Sequence, residues 1–325
     1  DLRANIELPA EGRGLAERGA AGVGLFRTEY LFLASPSSPS EDVQTRSYAQ
    51  LLRDAAPHPV TFRTFDLGAE ELPDRPTRTA RDRPAVLNPA LAPRGLRFAL
   101  ESSDLLRTQL RAILRATAEV PEARVELLFP MVTSRRDLLR AVAIFEEERD
   151  QLAAAGLALP RIPIGAMIEV PAAVLMVDML LPHVDFVAIG TNDLLQYSFA
   201  VDRADPSSAR LARACEPALL RAIQHVLLQA ERVGKPVRVC GDAAADPIAL
   251  PVLVGLGARQ LSVPPPALAL TAATVRRLTA TTLRELAQDA LRRGDADEVE
   301  QSVVTQLRET LSDLWGEQGY SPAER

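Results

Sequence analysis

Two carboxylates follow neighbouring apolar runs of this sequence, at positions suited to a divalent cation. Glu169 ends the run 164–169, and Asp193 lies just beyond the run 186–190. Magnesium typically binds one or two protein carboxylates and takes its other ligands from substrate oxygens and water. The alternative is a pair of surface carboxylates, or a helix cap and a salt bridge. The strongly apolar runs before both residues favour the metal site.

Two arginines end earlier apolar runs in the same way. Arg27 and Arg63 are each followed by a threonine, in the sequences Arg-Thr-Glu and Arg-Thr-Phe-Asp. The rigid donor fork of arginine suits phosphate and carboxylate groups. The pair therefore predicts a phosphate clamp, whereas the alternative for each arginine alone is a structural salt bridge to a neighbour such as Glu29 or Asp66.

A helix start and a cysteine add two further candidate groups. Residues 191–193, Thr-Asn-Asp, are expected to open a helix whose N–H groups favour an anion such as a carboxylate. A simple helix cap is the alternative for this segment. Cys240 follows Val-Arg-Val and could donate or accept a proton beside a metal and arginines. Its alternative role is that of a small buried hydrophobic residue, which we assign to Cys215.

These residues share a place in a repeat of eight strand-length runs. Four runs end in a charged or thiol residue, a fifth is followed by Thr-Asn-Asp, the last ends at a Ser-Val-Pro corner, and stretches with helical periodicity separate all eight. The alternation predicts a (β/α)₈ barrel of parallel strands, in which the chemistry lies at the carboxyl ends of the strands. The eight runs are 5–8, 22–27, 60–63, 125–130, 164–169, 186–190, 237–240 and 260–263.

The helices between the runs are placed by periodicity and by capping residues. Ser134 is the expected N-cap of one helix, Thr191 caps another, and Pro171 opens a third. We expect one barrel over about 1–267 and a helical extension over about 268–315, with no second domain boundary. The expected helices are 10–20, 41–54, 103–118, 134–155, 171–181, one from 191, 216–233, 247–255 and two or three in 268–315.

Composition narrows the class of protein. The 325 residues carry a formal net charge of -6 without a basic block, which disfavours nucleic-acid binding. The two cysteines give no disulfide framework, so a reducing, cytoplasmic setting fits. No apolar run approaches transmembrane length, which predicts no membrane insertion.

Taken together, the runs resemble the PEP-utilising enzymes, and most of all the C-terminal barrel of enzyme I of the sugar phosphotransferase system, which binds phosphoenolpyruvate (PEP). The resemblance covers nearly the whole chain in order, and its combined motifs are specific. The matching segments are 22–32, 62–68, 88–97, 129–131, 165–172, 185–197, 200–203 and 239–242.

The resemblance implies that eight residues form one site for PEP and Mg²⁺. The implied metal ligands are Glu169 and Asp193, the phosphoryl-binding residues are Arg27, Arg63 and Arg94, those at the PEP carboxylate are Asn192 and Arg203, and the residue that protonates the enolate of pyruvate is Cys240. The phosphoryl group would pass to a histidine on a separate N-terminal domain, and from there to the carrier protein HPr. Nothing in this chain resembles those N-terminal parts, and a homodimer is expected by resemblance only.

Two departures from the family pattern leave other functions open. Glu71 stands where the family usually has a lysine on the phosphate side, and Asp242 stands where it usually has glutamate. Glu71 motivates a degenerate barrel that senses PEP or dimerises without transferring the phosphoryl group. A further alternative is the PEP/pyruvate half of a PEP synthase or a pyruvate phosphate dikinase.

Overall fold

The computed structural model describes residues 1–34, 37–68, 71–72, 91–202, 211 and 213–315. Eight parallel strands close into a barrel in sequence order, which confirms the predicted (β/α)₈ fold. The strands are β1 Leu2–Ile6, β2 Val23–Arg27, β3 Pro59–Arg63, β4 Arg124–Phe129, β5 Ile164–Ile168, β6 Phe186–Gly190, β7 Val237–Cys240 and β8 Gln260–Val263.

Thirteen α-helices lie within the described ranges, most of them outside the barrel. Ser134 caps its helix as predicted, because its Oγ accepts a hydrogen bond from the Asp137 N–H at 3.1 Å. None of the described helices is both long and apolar enough to cross a bilayer. The helices are α1 Glu29–Leu33, α2 Glu41–Ala55, α3 Gly95–Glu101, α4 Ser103–Glu119, α5 Arg135–Ala154, α6 Pro171–Leu175, α7 Val177–Leu180, α8 Thr191–Phe199, α9 Pro217–Arg232, α10 Ala249–Gly255, α11 Leu268–Arg277, α12 Ala280–Ala290 and α13 Ala296–Trp315.

Three sequence-based helix assignments need correction. Residues 10–20 form only a short 3₁₀ helix, Pro9–Gly12, followed by turns, because Gly14 and Gly19 adopt positive φ angles of 64° and 88°. The expected helix 171–181 is interrupted at Met176, which separates α6 from α7. Thr191 does not cap α8: Gly190 holds the N-cap position, and the Thr191 hydroxyl donates to the Cys240 carbonyl at 3.0 Å.

The interior of the barrel is divided into layers because alternate strand residues point inward. The layer below the carboxyl ends is apolar and buried. It gives the site above it a dry floor. Its members are Leu25, Leu128, Met167, Ala188 and Cys240, and Phe186, the first residue of β6, completes the cluster.

A charged layer crosses the barrel beneath that floor. Glu126 of β4 accepts hydrogen bonds through Oε2 from Arg3 at 3.0 Å and from Arg238 at 2.9 Å. The Thr61 hydroxyl also donates to Glu126 and accepts from Arg238. Burial opposes ionisation of Glu126, but the charges of Arg238 and Arg3 outweigh burial and lower its pKa. The network therefore keeps Glu126 ionised between two buried cations.

Replacing Glu126 with glutamine should destabilise the fold by about 3–5 kcal/mol, since it leaves the buried Arg238 without its counter-charge and leaves Arg3 with Asp1 alone. A glutamate with a lowered pKa stabilises the folded state fully above about pH 4.3, its unfolded pKa, and loses that effect as the pH falls through the folded pKa. The difference in unfolding free energy between wild type and Glu126→Gln should therefore become smaller in acid. Denaturant unfolding across pH measures it, with the exposed Glu122→Gln as control. A difference in unfolding free energy that is the same at all pH values would contradict the ionic role of Glu126.

Candidate active site

The carboxyl ends of the strands open into a polar cavity of about 190 Å³. Seven of the eight site residues predicted from sequence line this cavity, and the eighth, Arg203, lies outside the described residues. The lining residues are Leu25, Arg27, Arg63, Asp66, Arg94, Met167, Glu169, Gly190, Asn192, Asp193, Cys240 and Gly241.

Glu169 directly follows β5 and is buried at the base of the cavity. Its Oε1 accepts a short hydrogen bond of 2.6 Å from the Met131 N–H. Met131 has a positive φ of 51°, which is uncommon for a residue with a side chain. Burial and the negative charges of Asp66 and Asp193 raise the pKa of Glu169. Burial and the two neighbouring carboxylates thus disfavour the ionised form of Glu169.

Gly190 makes room for this carboxylate. A Cβ atom built on Gly190 would lie 2.5 Å from Oε2 of Glu169, closer than real Cβ contacts allow. Gly241, directly after β7, has a φ angle of 92°, and a Cβ atom built on it would lie 2.4 Å from Thr191 Oγ1. Any side chain at either position would move the neighbouring polar groups, so both glycines belong to the architecture of the site.

Arg94 connects two carboxylates of the cavity. It makes a bidentate pair with Asp66, with Nε–Oδ1 at 3.0 Å and a terminal nitrogen–Oδ2 distance of 2.7 Å. It also donates to both oxygens of Asp193, at 3.4 and 3.3 Å. Burial opposes the charge on Arg94, but Asp66 and Asp193 outweigh burial and raise its pKa. Arg94 therefore stays cationic beside the predicted metal ligand Asp193.

Arg63 is held by two carboxylates, those of Glu29 and Asp66. It donates to Glu29 Oε1 at 2.9 Å and lies 3.4 Å from Asp66 Oδ2. Burial opposes its charge, yet the carboxylates of Glu29 and Asp66 outweigh burial and raise its pKa. Its buried Nε atom has no hydrogen-bond partner among the described residues. The salt bridges weighed as the alternative thus exist, and Arg63 lines the cavity as well.

Arg27 and Asn192 lie nearer the rim of the cavity. Arg27 is about one third exposed and donates to Glu7 at 2.8 Å. The Asn192 amide exchanges two hydrogen bonds with Asp242, because its Oδ1 accepts from the Asp242 N–H at 2.8 Å and its Nδ2 donates to the Asp242 carboxylate at 3.1 Å. Asp242 therefore fixes the amide of Asn192 across the gap between β6 and β7.

Cys240, the last residue of β7, lies in the dry floor of the cavity. Burial raises the pKa of its thiol to about 11, although the positive charges of Arg238, Arg63 and Arg27 act in the opposite direction. The side chain is 1% exposed. At neutral pH the sulfur therefore carries its proton, which suits a proton donor rather than a nucleophile or a metal ligand.

The carboxylates fit the donor set that Mg²⁺ requires. Glu169 and Asp193 are oxygen donors from adjacent strand ends, and a cation between them would offset the negative charge that, after burial, raises the pKa of Glu169. Among the residues that the structure describes, no three His, Cys, Asp or Glu side chains have a metal-ligand arrangement. The other ligands of a cation here would come from substrate oxygens and water.

Sequence reasoning missed Asp66 as a site residue. It appeared only as a possible salt-bridge partner, yet its side chain is 1% exposed and contacts both Arg63 and Arg94. Burial opposes its ionisation, but the two arginines outweigh burial and lower its pKa. Its position three residues after Arg63, just beyond the run 60–63, was the available signal.

Glu71, the residue that departs from the family pattern, does not line the cavity. Its Oε2 accepts a hydrogen bond from the Gly68 N–H at 2.7 Å. Gly68 in turn pairs with Arg94 in an isolated antiparallel bridge. Glu71 therefore closes the turn that supports the backbone of Arg94.

The family model and the curated relatives point to the same family. The profile of the family described as "PEP-utilising enzyme, PEP-binding domain" matches residues 1–280. A phosphoenolpyruvate-protein phosphotransferase of Geobacillus stearothermophilus is 38% identical over 305 residues, which cover 93% of this chain and 51% of the relative. The protein of the same name in Cupriavidus necator is 41% identical over 268 residues, 82% of this chain and 44% of the relative.

A multiphosphoryl transfer protein of Rhodobacter capsulatus is 43% identical over 277 residues, which cover 85% of this chain and 32% of the relative. The chain thus spans about half, or less, of the length of the curated relatives it matches.

Proposed function

This chain belongs to the PEP-utilising enzyme family, and from that premise we propose that it binds PEP with Mg²⁺ and donates the phosphoryl group to a histidine, releasing pyruvate. The observation that carries the proposal is one cavity that holds two carboxylates on adjacent strand ends, two partly buried arginines and a protonated thiol. The carboxylates suit the cation, the arginines suit the phosphoryl group, and the thiol can protonate the enolate.

In the proposed reaction, Arg63 and Arg94 bind the phosphoryl oxygens and neutralise their charge, Arg27 contributes from the rim, and Asn192 and Arg203 bind the PEP carboxylate. Glu169 and Asp193 would hold Mg²⁺, which when bound supplies charge neutralisation and orientation of the ligand oxygens.

The transfer breaks the P–O bond of PEP and forms a P–N bond to the histidine, with the bonding electrons left on the enolate. The enolate carbon then takes the Cys240 proton to give pyruvate, and water restores the thiol. Cys240 suits this step because it is protonated and buried.

The acceptor histidine would lie on a phosphohistidine domain of the same enzyme, which passes the phosphoryl group to HPr in the first step of the sugar phosphotransferase system. The names of the relatives support this place in the system, because they are phosphotransferases and multiphosphoryl transfer proteins. In this proposal the chain is one PEP-binding barrel, about 1–267, with a helical extension, about 268–315, and it works as a cytoplasmic homodimer.

The decisive test is transfer of labelled phosphoryl from PEP to a histidine domain supplied from a related phosphotransferase, with and without Mg²⁺. We expect labelling that requires Mg²⁺. The supplied domain must first be shown competent with the PEP-binding barrel of its own enzyme. PEP binding without labelling under those conditions would contradict the proposal and favour a PEP sensor.

Glu71 should have little direct effect on the phosphoryl group, since it is exposed and its carboxylate bonds to its own turn. Glu71→Gln keeps an acceptor for the Gly68 N–H and removes the charge. We expect the KM for PEP to change by no more than about twofold, because a unit charge acting over about 10 Å in a water-like medium would contribute only about 0.4 kcal/mol.

Glu71→Ala, which removes the acceptor, should raise the KM several-fold through the turn that supports Arg94. Steady-state transfer kinetics measure both variants. A large gain in PEP affinity in Glu71→Gln would instead show that the carboxylate repels the substrate.

A further inference from the structure

A buried chain of hydrogen bonds lies behind the ends of β2 and β3. At its centre is Gln109 of α4, which is fully buried. Its Nε2 donates to Thr28 Oγ1 at 2.9 Å and to the Tyr48 hydroxyl at 3.1 Å, and its Oε1 accepts from the Phe65 N–H at 3.0 Å. The whole amide of Gln109 is thus used in the protein interior.

Thr28 carries this chain to the arginines of the cavity. It directly follows Arg27, and its hydroxyl donates to the Arg63 carbonyl at 3.0 Å. Thr28 stands at the N-cap position of α1, yet its side chain makes no capping bond there. A threonine at this position usually satisfies a helix N–H. Here the hydroxyl instead links the backbone of β3 to Gln109.

The contacts hold the backbone on both sides of Thr64, the residue that directly follows β3. The Arg63 carbonyl is held through Thr28, and the Phe65 N–H is held by Gln109. The next residue, Asp66, has its N–H bonded to Glu29 Oε1 at 2.7 Å, and the same oxygen accepts from Arg63. Two buried polar side chains therefore fix the backbone that carries Arg63 and Asp66.

Packing alone does not account for a glutamine at this position. The neighbouring buried positions of α4, Leu106, Leu110 and Ile113, are apolar, and a buried amide is unfavourable unless it is fully hydrogen-bonded. Gln109 meets that condition only through the ends of β2 and β3 and through Tyr48, whose own hydroxyl donates to Gln44 at 3.0 Å. A polar side chain retained in such a core is best explained by the backbone that it holds.

We propose that Thr28 and Gln109 are positioning residues that set the height and angle of Arg63 against the phosphoryl group. The inference rests on the proposed function, since it assigns these residues to the same site. Neither side chain lines the cavity, so both act through the strand end. Small displacements of a positioned group reduce rates strongly, by up to about a hundredfold for 1 Å.

The chain offers a matched set of threonine variants for the test. Thr28→Val removes the hydroxyl at nearly constant volume, and Thr28→Ser keeps it. Thr117→Val is the control, because Thr117 is also buried and lies on α4, but its hydroxyl donates to the Ile113 carbonyl of its own helix. Circular dichroism confirms that each variant is folded at the assay temperature.

In phosphoryl transfer from PEP, Thr28→Val should lower kcat/KM about 10–100-fold, with a rise in KM for PEP that partial unfolding would not produce. Thr28→Ser and Thr117→Val should stay within about threefold of wild type. Gln109→Leu should behave like Thr28→Val, and the double variant should be no worse than the worse single variant. Thr28→Val kinetics equal to those of Thr117→Val would overturn the proposal.

Hydrogen exchange of the Phe65 amide tests the positioning without any transfer. Its protection should fall in Gln109→Leu and persist in Thr117→Val. Unchanged protection in Gln109→Leu would also overturn the proposal. A different result is that wild type fails to transfer the phosphoryl group while its Phe65 amide is protected and that protection is lost in Gln109→Leu. This result would contradict the proposed function but still support the positioning of the strand end.

Discussion

Replacing Glu169 with glutamine should lower Mg²⁺-dependent phosphoryl transfer by about a thousandfold, since a lost metal carboxylate removes several kcal/mol of charge stabilisation and each 1.36 kcal/mol is a factor of ten. Glutamine keeps an oxygen for the Met131 N–H, which Glu169 now binds at 2.6 Å. The substitution therefore changes the charge with little change in shape.

The same substitution should stabilise the metal-free fold by about 1–2 kcal/mol, because Glu169 is buried beside Asp66 and Asp193 and its pKa is raised. Adding Mg²⁺ should raise the melting temperature of wild type but not that of Glu169→Gln. Activity and stability thus move in opposite directions, which a merely structural carboxylate would not produce.

Glu147→Gln on α5 is the matched control, because it removes one carboxylate from an exposed ion pair with Arg107. It should leave transfer and the Mg²⁺ response unchanged. A transfer rate of Glu169→Gln within tenfold of wild type, or a melting temperature that still responds to Mg²⁺, would show that Glu169 is not a metal ligand.

The sequence was sufficient to predict the residues that directly end strands. Arg27, Arg63, Glu169 and Cys240 follow apolar runs, and parallel strands in a barrel bring all their carboxyl ends to one face. Once the eight runs were counted, the meeting of these side chains followed from topology alone. No knowledge of loop conformation was needed for them.

Residues whose contribution depends on loop geometry or register escaped prediction. Gln109 lies in an ordinary amphipathic helix, and only the folded structure shows that its amide meets Thr28 and the Phe65 N–H. The predicted capping role of Thr191 was wrong for a related reason, because its hydroxyl donates to the Cys240 carbonyl of the next strand and does not cap its own helix. Local propensity does not include partners that are distant in sequence.

Replacing Cys240 with alanine should leave PEP binding nearly intact and slow pyruvate formation by about 10²–10⁴-fold, the usual contribution of a positioned general acid. The reason is that the buried thiol, with its pKa raised to about 11, is the protonated group in the floor of the cavity. The ionised form appears only as the pH rises towards that value, so the donor stays competent throughout the neutral range.

Proton transfer by Cys240 can be measured separately from phosphoryl transfer. Pyruvate bound with Mg²⁺ in D₂O should exchange its methyl protons in wild type, and NMR should show this exchange lost in Cys240→Ala. The matched control is Cys215→Ala, since Cys215 is equally buried but does not line the cavity. It loses the same sulfur and should keep the exchange. Methyl exchange and pyruvate formation at wild-type rates in Cys240→Ala would assign the proton to another group, and the high pKa of the thiol would then reflect burial alone.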